Sequence, residues 1–135
     1  MKITRIYADA DGESHFSDVE IPMASVSLFP QLPSFRTCAF TGQGNIKLFA
    51  TPATFRVFDF HTAPERQFAV SLNGAIEYEA SDGEIRRLPT GSVVLVEDTW
   101  GRGHITRFAE GEQFFLFIPI PDDLVALPMA DANAP

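Results

Sequence analysis

Three histidines, one cysteine and one tryptophan are the scarce reactive side chains of this 135-residue chain. Two of the histidines, His61 and His104, stand in segments that also carry acids, amides and arginines. An imidazole titrates near neutrality, so each can move a proton or, when neutral, ligate a metal. Around the first the sequence reads His61-Thr62-Ala63-Pro64-Glu65-Arg66-Gln67. If residues 59–67 are extended, Asp59, His61, Ala63 and Gln67 share one face, because side chains alternate with period two. The second histidine closes the run Asp98-Thr99-Trp100-Gly101-Arg102-Gly103-His104, whose ring, glycines and polar groups suit a binding loop.

Such a set supports two kinds of chemistry. Acting without metal, the imidazoles of His61 and His104 would serve isomerisation, dehydration or elimination as acid and base. With a divalent ion (iron, manganese, nickel or zinc), they would be ligands together with the weaker amide of Gln67, helped by Asp59, Glu65 or Asp98. Gln67, Asp98, Trp100 and Arg102 are the expected ligand contacts, with Trp100 as a lid; Trp100 is equally readable as a hydrophobic plug and Asp98 as a turn former. Among the arginines, strict alternation turns Arg56, Arg66 and Arg107 away from the histidine face, whereas Arg102 lies between two glycines in a flexible loop. His15 reads as an exposed strand residue and Cys38, beside Ala39 and Phe40, as packing. Glu77 and Glu79 fall on the face opposite Ile76 and Tyr78 and are expected in solvent.

These residues need a scaffold, and the pattern predicts one that is almost all β. Thirteen phenylalanines give the chain a heavy aromatic load, and helical periodicity is scarce. Alternation and turn punctuation predict strands at Lys2–Tyr7, Ser14–Ile21, Thr37–Thr41, Ile46–Thr51, Phe55–Phe60, Gln67–Leu72, Ala75–Ala80, Glu84–Leu88, Ser92–Val96, His104–Phe108 and Gln113–Ile120. Asn73-Gly74 is a hairpin signal, Ser81-Asp82-Gly83 does similar work one strand later, and residues 67–96 are expected to form a meander. Segment 22–36, with Pro22, Pro30 and Pro33, reads as an extended crossing or edge stretch. It carries Met23, Leu28, Phe29, Leu32 and Phe35, which require cover from the domain or a second subunit, so a homodimer is expected.

Length allows one domain, assigned to residues 1–121, with a loosely packed tail at 122–135. A formal net charge of −8 and a pI near 4.7 leave no positive field for nucleic acid or an anionic membrane surface. The single cysteine rules out an intramolecular disulfide, and no apolar stretch approaches the roughly 20 residues that span a bilayer. Met1-Lys2-Ile3-Thr4-Arg5 lacks an apolar signal core, so a cytoplasmic address is expected.

Residues 55–108 resemble the cupin superfamily. Its first motif is His, any residue, His, three or four residues, Glu, six residues, Gly. Counting back from Gly74 sets Gln67 in the glutamate slot and His61 and Ala63 in the paired histidine slots. Its second motif opens at Gly91 and reaches His104 with a loop two residues longer; the motif's proline and asparagine are absent. The whole chain, including Asp9-Ala10-Asp11-Gly12-Glu13-Ser14-His15-Phe16, is similar to a branch of small bacterial single-domain cupins. The resemblance implies a double-stranded β-helix, the jelly-roll barrel, whose strands bring His61 and His104 together at one end with a degenerate metal site. The expected function is then binding of a small polar metabolite, with isomerase- or lyase-type chemistry by acid–base or weakly metal-assisted steps. A metal-dependent oxygenase and a non-catalytic ligand sensor are the alternatives.

Overall fold

Twelve strands and no helix make up the described residues, 1–40 and 42–122, of the computed structural model. They are β1 (Lys2–Ala8), β2 (Ser14–Glu20), β3 (Ala24–Val26), β4 (Phe35–Thr37), β5 (Lys47–Ala50), β6 (Val57–His61), β7 (Gln67–Ser71), β8 (Ile76–Ala80), β9 (Ile85–Leu88), β10 (Val93–Val96), β11 (His104–Phe108) and β12 (Phe114–Pro119). A six-stranded sheet in the order β2-β1-β10-β7-β12-β5 faces a four-stranded sheet, β6-β11-β8-β9, and β3 pairs with β4 alone. Of these pairs only β1 and β10 run parallel. The two layers keep open edges, and no closed barrel forms among the described residues.

Period-two alternation builds the layer between the sheets. Ile76, Tyr78 and Ala80 of β8 point inward, while Glu77 and Glu79 face outward, where both bind Arg107. From the other sheet, Ile6, Phe16, Ala69, Val94 and Phe115 complete this core. The six-stranded sheet is apolar on its second face as well: Ile3, Val19, Phe68 and Leu95 form a separate cluster, covered in part by Met23, Cys38 and Phe40.

Asn73-Gly74 does not close a hairpin. The strand before it, β7, pairs with β10 and β12, whereas β8 pairs with β11 and β9, so the turn carries the chain from one sheet to the other. Side chains hold this corner. Asn73 accepts from the Phe114 amide and donates to the Glu112 carbonyl, and the Gln113 amide donates to Ser71 Oγ and the Gly74 carbonyl. Gly74 supplies the positive φ, 94°, that the turn requires. The 67–96 meander therefore reduces to the β8–β9 hairpin, turned at Ser81-Asp82-Gly83. Segment 22–36 contributes the short pair β3–β4, its prolines lying outside the ladder. Thr41 and the tail from residue 123 lie outside the described residues.

A second histidine structure ties the β1–β2 hairpin to the β8–β9 turn. Ser14 and Ser81 exchange amide-to-hydroxyl bonds at 2.6 Å in both directions. Beside them the His15 ring lies between two carboxylates, Nδ1 2.7 Å from Asp82 and Nε2 2.7 Å from Asp9. The hydrogen bond to Asp9, reinforced by Asp82, raises the imidazole pKa above its ordinary 6.5. The folded state thus binds this proton more tightly than the unfolded chain, and the clamp is complete below pH 6.5 and fades as pH rises through the elevated value. Wild-type protein should melt about 1–3 °C above His15→Ala in mild acid, and the gap should close in alkali. A pH-independent gap in paired thermal scans would refute the clamp.

Candidate functional site

β6 and β11 run side by side, and the register between them slips. His104 pairs with His61 but Thr106 pairs with Phe58, so β6 spends one extra residue in a bulge at Asp59-Phe60. Without it, simple alternation would turn Asp59 inward with His61. With it, Phe58 and His61 face the same way, their ring centroids 3.8 Å apart, and the Asp59 side chain accepts from the Phe60 amide instead. Both rings then line a cavity of about 410 Å³ between the sheets. Its walls are mostly apolar and rich in aromatic rings, with Phe108, Phe115 and Phe117 beside Phe58.

His61 and His104 converge here, ring centroids 4.6 Å apart and planes at 57°. Each is fixed by a bond from the nitrogen nearer its backbone. His61 Nδ1 donates to the Asp59 carbonyl at 2.8 Å, and His104 Nδ1 donates to Asp98 Oδ2 at 2.6 Å. In the neutral state this leaves Nε2 of both rings as a lone-pair acceptor. Burial lowers the His61 pKa below 6.5, its bond to Asp59 opposes that shift, and His104 adds to it. Asp98 is entirely buried, with Oδ1 unpartnered among the described residues, and its carbonyl accepts from the Ala63 amide at 3.1 Å. Among those residues the carboxylate therefore has a single side-chain partner, His104, which it orients.

The other expected site residues divide. Gln67 lines the cavity from the opposite sheet, and Asp98 stands directly behind His104. Trp100 and Arg102 are not among the lining residues: Trp100 is half-exposed against Gly12, and Arg102 binds Glu13 at 3.0 Å and lies over Phe60. Nor are the flanking glycines mere sources of flexibility. A Cβ on Gly101 would strike the Gly12 carbonyl, and one on Gly103 the His61 carbonyl, so the loop is pressed against two backbones.

Comparison with protein-family models and with curated proteins finds no match. What can be said of the site comes from its own residues. The four positions aligned with cupin ligand slots, His61, Ala63, Gln67 and His104, all line the one cavity. They do not make a fitting donor set for a resident divalent ion. Ala63 offers no donor, Gln67 offers only a neutral amide, and Asp98 is turned to His104. Among the described residues no group of three His, Cys, Asp or Glu is placed to hold a metal.

Tyr78 was not among the expected site residues, yet it lines the cavity edge-on to His104, ring centroids 5.7 Å apart. Its signal lies in the alternation of β8, which sets it on the apolar face between Ile76 and Ala80. A tyrosine there must find a partner for its hydroxyl or present it to a ligand. Thr106, its cross-strand neighbour, lines the same wall.

Proposed function

We propose that the chain is a small-molecule-binding protein of cupin type whose His104–Asp98 pair, with His61 beside it, transfers protons on a bound ligand. One observation carries the reading: two histidines distant in sequence stand ring to ring at 4.6 Å, with their acceptor nitrogens unpartnered among the described residues and a buried carboxylate behind one of them. Such a base, orientated by a carboxylate and screened from water, is suited to taking a proton from carbon. Aromatic walls favour a ligand with an apolar body over a small, wholly polar metabolite.

A nitrobenzisoxazole tests this directly, because its ring opening needs only a base in an apolar pocket. The base takes the ring C–H proton, the N–O bond breaks, and the products are a nitrile and a coloured phenolate. Turnover about 10²-fold above an equal concentration of free imidazole supports proton transfer. Binding of the compound with no acceleration would instead support the non-catalytic, ligand-sensing alternative.

The same chain is proposed to form a homodimer. Residues 21–46 carry a single charge, Arg36, and Leu28, Phe29, Leu32 and Phe35 are each about half exposed. Leu48, on the edge strand β5, is 79% exposed. A sheet that is apolar on both faces needs a second covering layer, and twofold self-association is the simplest source of one. Light scattering should give about twice the chain mass of 14.9 kDa; the chain mass itself, at micromolar protein, would overturn the dimer.

A further inference from the structure

Buried polar groups are almost always hydrogen-bonded, so buried side chains that lack a partner and face a cavity point to a ligand. Gln67, Tyr78 and Thr106 are each 5–6% exposed, and all three line the cavity. Among the described residues none of their side chains makes a hydrogen bond within the chain. Their polar atoms are nevertheless not sealed in protein, since among those residues only Ser17 Oγ and Asp98 Oδ1 are both fully enclosed and unpartnered. They open onto the cavity.

Tyr78 and Thr106 are cross-strand partners on β8 and β11, so both hydroxyl-bearing side chains stand on one patch of wall, and His104 follows on the same face of β11. That patch offers O–H donors beside imidazole acceptors. Charge narrows the choice of ligand. Lys47, the one cationic side chain among the lining residues, is bound to Glu65 at 2.9 Å, and Arg66 and Arg107 are engaged by Glu97 and by Glu77 and Glu79. A carboxylate or phosphate would enter an apolar cavity whose one lining cation is already paired.

We propose, resting on the proton-transfer reading above, that the ligand is a neutral carbonyl compound with an apolar ring or chain, and that Tyr78 is the catalytic residue that holds its oxygen. Imidazole Nε2 takes the proton from the carbon next to the carbonyl. The C–H electron pair becomes a C=C bond, and the carbonyl π pair moves onto oxygen, which accepts from the Tyr78 hydroxyl with Thr106 beside it. Return of the proton from the imidazolium to the same carbon or to a conjugated one restores the carbonyl, so the step is an isomerisation that consumes no oxidant or reductant. Burial, with the charge of Asp98, drives the Tyr78 phenol well above the ordinary tyrosine range, so it remains a donor.

2-Naphthol, naphthalene and 2-naphthoate test the assignment, since a phenolic oxygen on a fused ring mimics the enol. In competition fluorescence the wild type should bind 2-naphthol at least about tenfold more tightly than either companion. Tyr78→Phe, which deletes only the hydroxyl, should remove that advantage and leave naphthalene affinity within about twofold; Thr106→Val should reduce the advantage in part. Naphthoate binding more tightly than naphthol, or an unchanged naphthol advantage in Tyr78→Phe, would overturn the proposal. If nitrobenzisoxazole elimination still runs in that second case, only the oxygen-holding role of Tyr78 falls. If naphthol binding depends on Tyr78 but no elimination is seen in the wild type, the proton-transfer reading fails and the isomerisation step fails with it.

Discussion

Replacing His104 by asparagine is expected to slow nitrobenzisoxazole elimination by about 10²-fold or more while the protein stays folded. The choice of asparagine follows from Asp98. This carboxylate is entirely buried, and among the described residues Oδ1 has no partner and Oδ2 is held only by His104 Nδ1. Alanine at position 104 would abandon a buried charge, at a cost of about 3–5 kcal/mol, and an inactive alanine variant would then report unfolding as readily as lost chemistry. An asparagine amide nitrogen stands where Nδ1 stood, so it keeps a donor for Asp98, but it has no basic nitrogen. His61 can be replaced by alanine at less cost, because its ring nitrogen is bound to a carbonyl and its loss leaves no charge behind.

His61→Ala should also slow the reaction, because it removes the ring that packs against His104, centroids 4.6 Å apart, and helps hold that imidazole toward the cavity. The lowered pKa of His61 keeps it neutral at ordinary pH, so it places no second positive charge beside the imidazolium that His104 becomes when it takes the proton. If the rings act as one unit, the variant lacking both should be no slower than the worse of the two single variants. Phenolate absorbance follows all three. Rates for His104→Asn equal to wild type, in protein with an unchanged melting curve, would end the proton-transfer reading.

The pairing of His61 with His104 was legible in the sequence, but through two motif slots and not through residue chemistry. Alternation gave the inward face of β8 and the outward set of Glu77, Glu79 and Arg107, because each depends only on the period of a strand. Two features needed information that lies far along the chain. Asn73-Gly74 has the composition of a hairpin turn, yet Asn73 and Gly74 are bound by residues 112–114, so the strands it joins part into separate sheets. Asp59 and Phe58 exchanged faces because a bulge on β6 is set by its pairing with β11, which local sequence does not encode. Arg102 and Trp100 have the chemistry of binding residues, but the close approach of Gly101 to Gly12 carries their loop to the β1–β2 turn, away from the cavity.

The same loop holds the position where one added methyl group should cost the most stability. Gly103 has φ of 75°, and a Cβ there would run into the His61 carbonyl and lie 2.8 Å from the Thr62 nitrogen, all backbone atoms that cannot rotate away. Gly83 provides the control: its φ is 95°, but nothing lies within 4 Å of where a Cβ would sit, so Gly83→Ala suffers the backbone strain alone. That strain costs about 1 kcal/mol, whereas Gly103→Ala must also displace the end of β6 and should lose about 3–4 kcal/mol. In urea unfolding the two variants should therefore separate by about 2 kcal/mol or more. Because the carbonyl that has to move belongs to His61 itself, Gly103→Ala should also slow elimination at temperatures where it is still folded, which Gly83→Ala should not. Equal losses of stability in the two variants would show that the loop yields, and that contact with Gly103 does not hold His61 in place.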